Sequence, residues 1–113
     1  MNNLAGETLF GSARRTEILA TIALLDETYA REISRLLAAP LISVQRIVEA
    51  LERDGIIATR IVGVERRIAF NPRFYAISEL KALLLRLSDR NDRLTDAVDG
   101  LRRRPRRKGK SLA

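Results

Sequence analysis

With 113 residues, 46% of them hydrophobic, the chain holds enough apolar material for one small domain plus an extension and too little for a second full domain. It contains no cysteine and no histidine, which removes disulfides, thiolate and imidazole metal sites, Cys or His nucleophiles and the Ser-His-Asp triad. The net charge of +7 is concentrated at one end: residues 102–113 carry seven basic groups and no acid, leaving fourteen basic and fourteen acidic residues in 1–101.

The opening MNNLAGETLFG lacks a positively charged n-region, and the longest apolar run, Ile18 to Leu25, is far shorter than the roughly 20 residues of a membrane span. A soluble, cytoplasmic protein with no membrane partner is expected. Ser12 can cap a first helix, in which Ile18, Ile22 and Leu25 recur at helical spacing with Leu19 beside them. Asp26 and Glu27 suit the end of that helix poorly, because its C-terminus is the negative end of the dipole. In TYAREISRLLAAP, Ala30, Ile33 and Leu37 share one face of a second, short helix, which Pro40 cannot continue.

The third helix is expected from LISVQRIVEALERDGII. Ser43 is a suitable N-cap, Ile42 can staple onto Ile47, and Val44, Ile47, Val48 and Leu51 form the buried stripe. Gly55 ends the helix as the residue that turns left-handed most easily. Gln45, Arg46, Glu49, Glu52 and Arg53 are left facing away from the core. The period then changes to two in IIATRIV and RRIAF, which predicts a β-hairpin around GVER with Arg60, Arg66 and Arg67 on or near its exposed surface. Asn71-Pro72 stops the hairpin, and a long helix is expected from near Phe74 or Ser78 to about Asp99, with Gly100 as its stop.

This order of elements over residues 12–87 resembles a winged helix-turn-helix domain, similar to ArsR- and MarR-like bacterial and archaeal regulators. The most specific part is SVQRIVEALERDGIIATRIVGVERRIAFNP, a capped helix that passes directly into an Arg-bearing wing. The resemblance implies a mainly α fold with a small β-hairpin, in which the third helix enters the DNA major groove by its N-terminal residues and the wing approaches the backbone or minor groove. Ser43, Gln45 and Arg46 then take groove-facing positions and Arg66 and Arg67 wing-tip positions, with Arg60 nearby. Gln can bond adenine and Arg can bond guanine bidentately, so the pair is chemically suited to reading bases. The turn departs from the usual pattern: it reads Ala38-Ala39-Pro40-Leu41, without glycine. With no Cys or His, a metal-responsive member is not implied, no cofactor is expected, and Glu7, Asp26 and Glu27 read as solvated acids.

Leu80, Leu87, Leu94 and Leu101 recur every seven residues, with Leu84, Asn91 and Val98 between them, as in the d and a positions of a heptad. This pattern suits a homodimer seam, with the strand orientation left open by the e and g residues. The expected organisation is a DNA-binding domain over residues 1–77, a dimerisation helix over 78–101 and a disordered basic tail over 102–113. In the tail, Arg102, Arg103, Arg104, Arg106, Arg107 and Lys108 are candidate phosphate contacts. A non-enzymatic, sequence-specific regulator binding double-stranded DNA as a homodimer is the expected function. A winged-helix module for a protein partner and a nucleoid-type architectural protein are the alternatives, since the acids form no arrangement suited to catalysis.

Overall fold

The computed structural model describes residues 8–103, with the backbone alone at Arg103. Five helices and three strands follow in the order α1 (Ala13–Leu25), β1 (Glu27–Thr28), α2 (Ala30–Leu37), α3 (Leu41–Arg53), β2 (Ile57–Val62), β3 (Glu65–Phe70), α4 (Ile77–Ser88) and α5 (Asp92–Arg103). The fold is therefore mostly helical with a small antiparallel sheet of order β1-β3-β2.

Helix α1 is the centre of the molecule. Ser12 caps it, its side-chain oxygen accepting the Arg15 N–H at 3.1 Å. Ile18, Leu19, Ala20, Ile22 and Ala23 are all buried, so neighbours cover the helix on several sides: α2, α4 and α5 as well as the sheet. Two hydroxyls inside this packing are satisfied locally, Thr16 by the Ser12 carbonyl at 2.9 Å and Thr21 by the Glu17 carbonyl at 2.8 Å. The awkward acids at its end acquire partners from distant elements. Asp26, with a left-handed φ of 67°, meets Lys81 of α4 at 2.5 Å, and the Arg102 guanidinium donates to the Leu24 carbonyl. Cations from α4 and α5 thus compensate the negative end of α1.

Helices α2 and α3 are joined by three residues. Ala38 occupies the left-handed region at φ 52°, where a glycine is usual, and is held by two backbone bonds: Ala38 N–H to Arg35 O and Ala39 N–H to Ser34 O. The Ser34 hydroxyl also donates to the Ala39 carbonyl, at 2.5 Å. Helix α3 begins at Leu41 rather than after Ser43. Pro40, with φ −58° and ψ 135°, stands at the N-cap and its carbonyl accepts from both Ser43 and Val44. Proline's fixed φ suits a helix start without any side-chain acceptor, so Ser43 lies inside the first turn. The Ile42 staple does not form either, since Ile42 is 60% exposed. At the other end Gly55, at φ 78°, closes a Schellman turn, with the Gly55 N–H on Glu52 O and the Ile56 N–H on Leu51 O.

The single long helix expected beyond the hairpin is two helices. Asn91 is fully buried and caps α5: its Oδ1 accepts the Leu94 N–H at 3.0 Å while its carbonyl accepts from Thr95. Helix α5 folds back onto α1 and α2, and Leu84, Leu94 and Val98 enter the same core as Ile18 and Ile22, with Leu80 and Leu87 packed at its edge. Leu101 is half-buried. The heptad stripe is therefore spent inside one chain, and the expected seam of Leu80, Leu84, Leu87, Asn91, Leu94, Val98 and Leu101 is not available as an outer surface. Two helices in nearly continuous phase around one core reproduce the seven-residue repeat of a coiled coil.

Candidate nucleic-acid interface

Burying Val44, Val48 and Leu51 against the core rotates the opposite side of α3 into solvent. Along that side Ile42, Arg46, Glu49 and Arg53 follow at steps of three and four, with Gln45 next to them, all exposed. Gln45 and Arg46 have no hydrogen-bond or ion-pair partner among the described residues, and neither do the N–H groups of Leu41 and Ile42, because Pro40 brings no side-chain acceptor. The exposed start of α3 thus combines free donors, the positive end of a helix dipole and two base-competent side chains. Ser43 is half-buried at the margin of this surface.

The helix is braced at its far end. Arg15 of α1 meets Asp54 at 3.1 Å, and Thr59 of β2 donates to Glu52 at 2.7 Å. Asn71 ties off the base of the hairpin: its amide donates to Gly55 O, its backbone N–H to Ile56 O, and its side-chain oxygen accepts from Arg73. Helix and hairpin consequently leave one rigid junction.

The hairpin register separates its three arginines. Arg60 pairs with Arg67 across β2 and β3, whereas Ile61 pairs with Arg66, so Arg66 shares a face with Thr59 on the α3 side and the other two point off the opposite face. On that opposite face Glu27 of β1 takes Arg60 at 2.8 Å and lies 3.9 Å from Arg67, which also meets Glu65 at 3.3 Å. The Arg67 guanidinium stands 5.8 Å from the centre of the Tyr29 ring. Only Arg66 of the three is exposed without an ion pair among the described residues. At the apex, Gly63 with φ 65° takes the first place of a two-residue turn, and Val64 is fully exposed, with Ile61 and Val62 also open to solvent.

In the tail, Arg102 is exposed and donates to α1, while the Arg103 side chain, Arg104, Arg106, Arg107 and Lys108 lie outside the described residues. The apolar apex was not legible in the sequence, because alternation alone does not tell which residues of a hairpin tip are covered, and neither was the role of Glu27, because a two-residue strand leaves no periodic signal. Arg53 belongs with Arg46 on the same exposed side, as the helical spacing already indicated.

Among the described residues no three acids approach closely enough to hold a metal ion. A depression of about 250 Å³ beside β1 is lined by Asp26, Ala69, Phe70, Pro72, Ile77, Ser78 and Lys81, but its two charges are engaged with each other. It offers little to orient a small ligand. No helix among the described residues is long and apolar enough to cross a membrane. Comparison with protein-family models, with curated proteins and with solved structures found no match to this chain.

Proposed function

We propose that the chain is a winged helix-turn-helix regulator that binds double-stranded DNA sequence-specifically, without enzymatic activity, and acts as a homodimer on the nucleoid in the cytoplasm. In this reading α2 and α3 are the helix-turn-helix, α3 is the recognition helix and the β2–β3 hairpin is the wing. The observation that carries it is the unpartnered Gln45-Arg46 pair on the exposed first turns of a helix whose other side is core. The three-residue turn between α2 and α3, and Arg66 on the α3 side of the hairpin, support the same reading. Arg60 and Arg67 are secondary, since Glu27 holds the first and Glu65, with Glu27, the second. The basic tail adds affinity for any polyanion without choosing a sequence. The exposed apolar apex of the hairpin is the feature that favours the alternative of a protein partner.

Arg46→Ala tests the assignment. Loss of a bidentate contact to guanine costs about 1 to 3 kcal/mol on the preferred site and little on random duplex. Equal weakening on both classes of duplex contradicts a base-reading role for Arg46 and leaves an architectural, charge-driven binder.

A further inference from the structure

Helix α4 has an outer surface that the interior does not explain. Its inner side faces α1 with Leu84 and Ser88 buried, and Lys81 is committed to Asp26. On the outer side Glu79, Ala82 and Arg86 recur at steps of three and four, flanked by Leu83 and Leu85, 39% and 36% exposed. Neither Glu79 nor Arg86 takes part in an ion pair among the described residues.

The pattern is self-complementary. A half-turn about the point midway between Ala82 and Leu83 exchanges Glu79 with Arg86 and Ala82 with Leu83. Two copies of α4 laid antiparallel therefore place Glu79 of each against Arg86 of the other, with the small Ala82 allowing close approach and Leu83 filling the space beside it. Sliding one helix by three residues sets Glu79 against Asp89 of the other copy, and only the unshifted register matches both Glu79–Arg86 pairs at once.

We infer that this face of α4 pairs with the same face of a second copy in an antiparallel, twofold-symmetric contact. The inference rests on the regulator reading for its purpose, which is to present two recognition helices to DNA, but not for its geometry. A twelve-residue helix is only about 18 Å long, and one face of it buries less than the ~800 Å² per partner of a standard interface, so the free dimer is a weak one with a Kd of about 1 to 100 µM.

Sedimentation equilibrium of the full chain at low salt without DNA, up to about 200 µM, tests it by charge reversal. The parent protein shows a reversible monomer–dimer equilibrium. Glu79→Arg and Arg86→Glu each weaken it by about tenfold or more by setting like charges opposite one another. An equimolar mixture of the two single variants regains dimer, and the double variant E79R/R86E returns to within about threefold of the parent. A parent that stays monomeric, single reversals without effect, or a mixture and double variant no better than the singles each overturn the pairing. A dimer that retains no duplex DNA would instead overturn the regulator reading and leave the α4 contact standing.

Discussion

Glu27 lies at the edge of the sheet 2.8 Å from Arg60 and 3.9 Å from Arg67, on the face turned away from α3. Glu27→Ala releases the Arg60 guanidinium, while Arg67 keeps its closer contact with Glu65 at 3.3 Å, and it costs little stability because exposed ion pairs contribute only about 0 to 1 kcal/mol. Affinity for duplex DNA then becomes more salt-sensitive, the slope of log affinity against log salt steepening by up to about 0.9 as Arg60 reaches phosphate. An unchanged slope shows that Arg60 does not reach the duplex. Asn91 raises a different question at the same scale. Its heptad position suggested a polar residue in a dimer seam, but its buried oxygen caps α5, so Asn91→Ala lowers the unfolding free energy by about 0.5 to 2 kcal/mol in urea titration. A variant with unchanged stability contradicts the capping role. The amino acid was a legible cap, flanked by the polar run Ser88 to Asp92, but a stripe continuing on both sides concealed the break.

At the level of elements, the strongest dependence is that of α5 on the core. Leu94 and Val98 are almost completely buried, each contributing roughly 1.5 to 3 kcal/mol of apolar transfer. Leu94→Asp with Val98→Asp places two charges in that packing, which is enough to unfold a domain whose whole stability is about 5 to 15 kcal/mol. The double variant loses its cooperative thermal transition. A folded variant with the parent's melting temperature returns this stripe to the role of an external seam. Helices α1, α2 and α3 and the hairpin were readable because each shows a caps-and-period signature of its own: Ser12, Pro40, Gly55 and the alternation around Gly63. Strand β1 was not, because two residues, Glu27 and Thr28, are recruited by β3 through the register Glu27 to Ala69 and Thr28 to Ile68, a pairing that exists only once the chain has folded. The split of the hairpin arginines between two faces follows from the β2–β3 register and is equally invisible in a list of basic residues.

Over the whole molecule, charge is arranged unevenly. Asp89, Asp92, Asp96 and Asp99 are exposed around the α4–α5 junction and along α5 beside the exposed Arg90, Arg93 and Arg102, so that surface carries no excess positive charge to draw a polyanion. Arg46, Arg53 and Arg66 are exposed on α3 and the α3-side face of the hairpin, with Glu49 as the acid among them. In the proposed reading, a duplex is steered toward α3 by this asymmetry and by the basic tail, and is then discriminated by the first turns of α3. Selection of bound sites from random duplex DNA at moderate salt tests this most directly. The account predicts enrichment of a defined motif built from two related half-sites, lost on Arg46→Ala. Retention of all sequences alike, or an enriched motif that Arg46→Ala leaves unchanged, contradicts it.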